Sequence, residues 1–115
     1  METQFKECAQ LLRKGEWCEE AIDSLILPSA AEERKQIPVY SAFVRFFPRA
    51  IVAVTKMSME GQRQHNANGD SIKWIRSASS DDKDALMRHV LEEDWAKVAW
   101  RAMAILEKHL EEVTL

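Results

Sequence analysis

The sequence has few residues that break or cross-link a chain: its 115 residues include only three glycines, three prolines and two cysteines. So few turn-forming residues exclude a sheet of many short hairpins and favour a small number of long helices. Cys8 and Cys18 are not set at a zinc-ligand spacing with other cysteines or histidines. This predicts two reduced thiols in a cytoplasmic protein.

Long apolar segments and a strong excess of charge are also missing. No apolar run exceeds five residues, whereas a membrane span needs about 20, and the first residues lack the features of a secretory signal. Sixteen Lys and Arg stand against nineteen Asp and Glu, a net charge of -3, so the chain lacks the basic footprint of a nucleic-acid-binding protein. We therefore expect the protein to bind neither a membrane nor a nucleic acid polymer. The 46% of hydrophobic residues is enough to form a core, and we expect a single domain over residues 1–115.

Glycine and proline separate the predicted helices of the first half. Gly15 divides two amphipathic stretches, Pro28 ends the second because proline cannot continue a helix, and Pro38 and Pro48 suit the first turns of two more. The four stretches predicted in this way cover residues 5–14, 16–27, 39–47 and 49–64. Residues 66–70, with two asparagines and a glycine, predict a loop.

Two further helices are predicted in the second half. Ser79 or Ser80 in front of Asp81 is typical of a helix start, with a hydroxyl cap and acids in the first turn. Apolar residues at helical spacing are expected to face the core: Leu86, Met87, Val90 and Leu91 on one helix, and Trp95, Val98, Ala99, Ala102, Ile105, Leu106, Leu110 and Val113 on the other. The predicted fold class is all-α, a compact bundle of about five to six helices without a sheet.

Neither of two common catalytic loops is present in the sequence. The three glycines are isolated, so the chain has neither a glycine-rich phosphate loop nor the elbow of a serine hydrolase. Acids, histidines and cations on helices remain as material for a site. Glu16 and Glu19, one turn apart, could share Mg²⁺, although a solvated helix face is the commoner outcome.

Three other residues have both a structural and a functional interpretation. Asp94, at the end of an acidic run, either caps the last helix or binds a metal. His89 is either a packed residue or a base, and packing is the commoner case. Trp74 either covers the core or stacks on a nucleobase.

The order of motifs within residues 36–110 resembles a known family. Four segments carry the resemblance: Gly61-Gln-Arg63-Gln-His65-Asn66, Lys73-Trp74, Leu86-Met-Arg88-His89 and Asp94-Trp-Ala-Lys97-Val-Ala99-Trp-Arg101. They are similar to motifs of the MazG-like nucleotide pyrophosphohydrolases, a phage-associated family of small all-α dATP/dGTP diphosphohydrolases. His65 stands in the place of the family's tyrosine, and Asp94, Lys97 and Arg101 replace two histidines and an asparagine of its last helix.

The resemblance implies hydrolysis of a purine (deoxy)nucleoside triphosphate to the monophosphate and pyrophosphate, with Mg²⁺ (or Mn²⁺) as cofactor. Carboxylates would hold the metal, which prefers hard oxygen ligands. The candidates are Glu60, Asp84, Glu93 and Asp94, with Glu60 and Asp94 as the catalytic pair. Cationic, aromatic and polar side chains would bind the nucleotide. The candidates are Arg63, His65, Asn66, Trp74, Arg88, His89, Lys97 and Arg101.

The alternative function is a non-catalytic helical module that binds another protein of a phage or bacterium. Phe43, Phe46 and Phe47 either fill the core or form an aromatic patch for such a partner, and the core is favoured because few other large residues are available. The helix that carries Trp95 and Trp100 has apolar residues on more than one side, which predicts a homodimer or homotetramer.

Overall fold

The fold is all-α, as predicted. The computed structural model describes residues 27–65 and 72–114, apart from the side chains of His65 and Thr114. Within these two ranges there are four α-helices, one π-helical turn and one 3₁₀ turn, and no strand. Residues 1–26, which hold both cysteines, Glu16, Glu19 and nearly all of the first two predicted helices, lie outside the described residues, as does the predicted loop at 66–70.

Two long helices and one shorter helix account for most of the described chain. The α-helices are α1 (Ala31–Arg34), α2 (Pro48–His65), α3 (Asp82–Leu91) and α4 (Trp95–Thr114), with a π-helical turn at Tyr40–Val44 and a 3₁₀ turn at Arg76–Ala78. Pro48 begins α2, where its missing N–H has no intrahelical partner to lose. The stretch predicted as a helix over 39–47 is only a π-helical turn, in which the Arg45 N–H donates to the Tyr40 carbonyl at 2.9 Å.

The start of α3 differs from the prediction in its cap. Asp81 is the N-cap residue, and its carbonyl accepts a hydrogen bond from the Ala85 N–H at 2.9 Å. No side chain caps the helix. Instead, the Asp81 carboxylate accepts hydrogen bonds from the Ser79 hydroxyl at 3.2 Å and from Arg88 at 2.8 Å. The prediction of a hydroxyl cap from Ser79 or Ser80 is therefore wrong, because Ser79 bonds to the acid that follows it.

A three-residue turn joins α3 to α4. The Asp94 N–H donates to the His89 carbonyl at 3.0 Å and the Glu93 N–H to the Val90 carbonyl at 3.1 Å, which is the Schellman pattern of a helix end. Glu93 has a φ of 57°, a left-handed conformation that usually favours glycine. The Asp94 carboxylate then accepts a hydrogen bond from the Lys97 N–H at 3.3 Å. Asp94 therefore caps α4, as one of its two interpretations predicted.

The longest helix, α4, contacts both α2 and α3. The fully buried apolar side chains of the described chain are small: Ala85 on α3 and Ala104 on α4, each 4% exposed. Larger apolar side chains are only partly covered. This arrangement gives α4 one side that packs against the other helices and one side that faces outward.

The predicted core is only partly correct. Four of its members are half-buried: Leu86, Val90, Val98 and Ile105. Eight are exposed: Met87, Leu91, Trp95, Ala99, Ala102, Leu106, Leu110 and Val113. Phe43, Phe46 and Phe47 are 43%, 69% and 49% exposed, so their placement in the core is also wrong. The apolar side of α4 faces outward because ion pairs occupy much of its inner side.

Candidate functional site

A cleft of about 590 Å³ lies between α2, α3, α4 and the segment 72–81. Its volume is in the range of small-molecule sites. The charged, titratable and aromatic side chains that line it are Lys73, Trp74, His89, Lys97, Trp100 and Arg101. No carboxylate is among its described lining residues, although the whole chain carries a net charge of -3. The cleft lining thus carries three cationic side chains, Lys73, Lys97 and Arg101, and two aromatic rings.

The side-chain amide of Gln62 holds the segment 72–75 against α2. Its Oε1 accepts a hydrogen bond from the Lys73 N–H at 3.3 Å, and its Nε2 donates to the Lys73 carbonyl. One amide thus satisfies both backbone groups of a residue that lies outside any helix. The residue before Gln62 is Gly61, and a Cβ added there would meet no atom within 4 Å. The α2 wall of the cleft is therefore fixed at Gln62 and open at Gly61.

Arg76 and Glu111 fasten the same segment to α4. The Arg76 Nη2 and Nε donate to the two carboxylate oxygens of Glu111 at 3.1 and 3.4 Å. The Arg76 Nη1 donates to the Trp74 carbonyl at 3.0 Å. The guanidinium carbon also lies 4.1 Å from the centre of the Trp74 ring. This ring meets that of Trp100 edge to face, with 5.7 Å between centroids.

Asp82, at the start of α3, holds two cations of α4. Its carboxylate accepts hydrogen bonds from the Arg101 Nη1 at 2.7 Å and from the Lys108 Nζ at 2.6 Å. Lys108 also donates to the Ser79 carbonyl at 3.3 Å. Burial raises the pKa of Asp82, but the hydrogen bonds from Lys108 and Arg101 outweigh it and leave the pKa below its usual value. Asp82 is therefore an ionised acid with a structural role. Its partly buried charge is balanced by Arg101 and Lys108, so it needs no bound metal.

Four of the eight predicted nucleotide-binding residues line the cleft together: Trp74, His89, Lys97 and Arg101. They come from three different parts of the fold, namely the segment 72–81, α3 and α4. Lys97 is 47% exposed, and its Nζ lies 3.6 Å from the Asp94 carboxylate. An exposed pair of this kind is weak, so Lys97 can turn toward a ligand at little cost.

Of the other four, two lie away from the cleft and two fall outside what the structure describes. Arg63 is exposed on α2 and does not line the cleft. Arg88 pairs with Asp81 on the surface, and the hydrogen bond from Arg88 lowers the pKa of Asp81. His65 ends α2, but its side chain and the whole of Asn66 lie outside the described residues.

Two buried nitrogen atoms in the cleft wall have no hydrogen-bond partner among the described residues. They are the His89 Nδ1 and the Arg101 Nε. A carboxylate oxygen of Glu92 lies 3.8 Å from the His89 Nδ1, which is beyond hydrogen-bond distance. Buried polar groups are normally paired, so these two nitrogen atoms are an exception in the wall of the cleft.

The four predicted metal-binding carboxylates do not form a cluster. Glu60, Asp84 and Glu93 are exposed, and Asp94 is half-buried at the start of α4. Across residues 27–65 and 72–114, no three Asp, Glu, His or Cys side chains lie close enough together to hold a metal ion. The residues that the structure describes therefore do not fit a protein-held metal centre, and we assign no chemical step to a metal.

No sequence pattern assigned to particular residues the role of holding the cleft in shape. The residues that do so are Gln62, Lys73, Arg76, Lys108 and Glu111. Two of them lie close to a candidate residue, because Lys73 directly precedes Trp74 and Arg76 is two positions after it. Glu111 had no local signal, since it is 35 positions from Arg76 and a pair so distant leaves no periodic pattern.

Comparisons with known proteins assign no family to this chain. No family model, no curated protein and no solved structure matches the chain. In the described ranges, none of the helices combines the length and the apolar character that crossing a bilayer requires. A function must therefore be inferred from the side chains that line the cleft.

Proposed function

We propose that the cleft binds a purine (deoxy)nucleoside triphosphate. The observation that carries this proposal is the lining: Lys73, Lys97 and Arg101 beside Trp74 and Trp100, with no carboxylate among the described lining residues. Lys and Arg bind phosphate oxygens through charge-assisted hydrogen bonds. Aromatic rings bind nucleobases by stacking. A ligand with a polyanionic end and a flat aromatic end matches both halves of this lining.

We further propose that the bound triphosphate is hydrolysed to the monophosphate and pyrophosphate. This reaction, with its Mg²⁺ (or Mn²⁺) requirement, is what the resemblance to the MazG-like pyrophosphohydrolases implies. Support comes from the motif residues Trp74, His89, Lys97 and Arg101, which line one cleft although 27 positions separate the first from the last. The described carboxylates supply no metal centre, so binding and hydrolysis are tested separately.

Calorimetry with purified full-length protein tests the binding step. We would titrate dATP, dGTP, dCTP, dTTP and inorganic tripolyphosphate, each with Mg²⁺ and with a chelator. Binding of purine nucleotides more tightly than of tripolyphosphate is expected, because only the nucleotides have a base to stack. Release of pyrophosphate, followed in parallel, tests hydrolysis. Binding without release would leave a nucleotide-binding protein, and no binding of any of the five compounds would refute the proposal.

A pair of lysine variants tests the phosphate contacts. Lys97→Ala removes a cation that lines the cleft, whereas Lys83→Ala removes an exposed cation of α3 that does not. One charge-assisted hydrogen bond contributes about 1.5–3 kcal/mol, so we expect Lys97→Ala to weaken nucleotide binding about 10- to 100-fold. Lys83→Ala should leave it unchanged. Equal effects of the two variants would show that only overall charge matters.

A second pair of variants at Gly61 tests the location of the ligand. Space around this position is open, so Gly61→Ala adds a methyl group and should leave binding intact. Gly61→Trp extends a large ring from the cleft wall and should abolish binding. Far-ultraviolet circular dichroism checks that α2 remains folded in both. Wild-type affinity in Gly61→Trp would show that the nucleotide binds elsewhere.

The alternative, a helical module that binds another protein, is favoured by the outer side of α4. Trp95, Met103, Leu106 and Val113 lie along it and are 60%, 55%, 50% and 64% exposed. A continuous apolar stripe of this length is typical of a contact surface. The same side of α4 also suits the homodimer or homotetramer that the sequence predicts, with a second copy of the chain as the partner, and this self-association is compatible with either function. Sedimentation should show a dimer that Leu106→Lys dissociates, and a wild-type monomer at micromolar concentration would refute self-association.

A further inference from the structure

Trp74 lies on a segment without regular structure that must be held by side chains. Residues 72–75 form neither helix nor strand, so the indole has no helix of its own to orient it. On the α2 side, Gln62 holds the backbone of the preceding residue. On the α4 side, the Trp74 ring meets that of Trp100 edge to face, and Arg76, which is paired with Glu111 of α4, touches both the carbonyl and the ring of Trp74.

Arg76 can do this only because its own position is fixed. Its side chain is 18% exposed and that of Glu111 is 7% exposed, and the two form a forked ion pair with two hydrogen bonds. Such a bidentate pair sets the plane of the guanidinium as well as its position. The plane matters because a planar cation over an aromatic ring favours one relative orientation.

Glu111 depends on its ion pair with Arg76 more than an exposed acid would. Its neighbour Glu107 lies one turn back on α4, and burial, followed by the charge and hydrogen bond of Glu111, raises the pKa of Glu107. A carboxylate that is nearly excluded from water and close to a second acid needs a cation to offset its charge. Arg76 supplies that charge and also holds the Trp74 carbonyl, so opening the pair would loosen the segment that carries Trp74.

We propose that Glu111, acting through Arg76, positions the Trp74 indole for base recognition, so that both are positioning residues that set the preference for a nucleobase. This inference rests on the proposed nucleotide-binding function. It gives a role to a buried ion pair that lies behind the cleft and does not line it. Lys97 and Arg101 lie on α4 and not on the segment that carries Trp74, so the phosphate end of the ligand that they hold should not depend on the pair.

The test uses Glu111→Gln and, as a matched control, Glu112→Gln at an exposed neighbouring position. Ligand-free protein is measured first by NMR of the indole N–H signals of its four tryptophans, with Trp74→Phe to assign the relevant signal. Glu111→Gln should shift the Trp74 signal strongly and Glu112→Gln should not. Affinities for dATP and for tripolyphosphate are measured next on the same variants.

The expected result is a loss of base preference with little change in phosphate binding. Stacking of one base on an aromatic side chain is worth about tenfold or more in affinity. Glu111→Gln should therefore bind dATP about tenfold more weakly and tripolyphosphate within about twofold of wild type. A merely structural loosening of the cleft would weaken both ligands equally, and that result would overturn the inference.

Arg76→Lys keeps a cation opposite Glu111 but cannot make the two parallel hydrogen bonds of the guanidinium. It replaces Glu111→Gln in the test if that variant does not fold. It should show the same selective loss. If wild-type protein binds dATP no better than tripolyphosphate, the base-recognition claim fails, whereas phosphate binding stands. If it binds neither, the proposed function fails as well, and the NMR comparison alone then decides whether the pair orients Trp74.

Discussion

Replacement of Asp82 by Asn tests how much of the fold depends on buried charge. The Asp82 carboxylate is 14% exposed, and its partners Arg101 and Lys108 are 20% and 22% exposed. Loss of one partner of a fully buried pair costs about 3–5 kcal/mol. Because these cations can be partly rehydrated, we expect Asp82→Asn to lower the free energy of unfolding by about 2–3 kcal/mol.

For a chain of 115 residues, the entropy of unfolding near 60 °C is about 0.24 kcal/mol/K. The expected loss therefore lowers Tm by about 8 to 12 °C. Thermal and urea unfolding, followed by circular dichroism at pH 7, measure it. Asp84→Asn, in the same turn of α3 but exposed, is the matched control and should change Tm by less than about 2 °C.

The pH dependence of the difference identifies its cause. The folded-state pKa of Asp82 is lowered, so its stabilisation is present above the unfolded-state value of about 3.9 and is lost as pH falls through the folded-state value. The gap in stability between wild type and Asp82→Asn should be constant from pH 7 to 5 and should shrink below about pH 4. A gap under about 0.5 kcal/mol at pH 7, or one that widens in acid, would refute the reasoning.

Three smaller predictions concern single positions. Gly61→Ala should raise stability by up to about 1 kcal/mol in urea titration, because alanine favours a helix and the added methyl group has open space. Glu93→Gly should raise it by about 0.5 kcal/mol, since the left-handed φ of 57° strains a residue with a Cβ, and Glu93→Ala should not. Glu107→Gln should raise it by a few tenths of a kcal/mol at pH 7 but not at pH 4, because the pKa of Glu107 is raised and its charge destabilises the fold only above that pKa.

The helix pattern could be predicted where the signal lies in neighbouring residues. Pro48 at the start of α2 and Asp94 at the cap of α4 place both helices within a residue or two of the observed bounds. Each signal depends on the backbone chemistry of one turn. The same kind of signal at Pro38 predicted a helix over 39–47, and this was wrong, since the chain there makes only the π-helical turn Tyr40–Val44.

The candidate site could be predicted only in part, for a different reason. Lys97 and Arg101 were candidates through the motif resemblance, and their spacing of four residues places both on one side of α4, where they line the cleft together. Arg76 and Glu111 were not found, because their pairing depends on how the segment 72–81 crosses α4. Charged residues that neutralise each other across 35 positions look like ordinary surface residues in a sequence.

The same limit explains the apolar stripe that was expected in the core. Helical periodicity identifies which residues share a side of α4 but not which side faces inward. Lys97, Trp100 and Arg101 lie opposite Ala102 and Leu106 on the helix, since successive residues turn by about 100°. The charged side faces the rest of the fold, where Asp82 pairs with Arg101 and Glu111 pairs with Arg76, and the apolar side is left outward. A second copy bound to the outward side would therefore leave the cleft accessible, so self-association and nucleotide binding can coexist on this one helix.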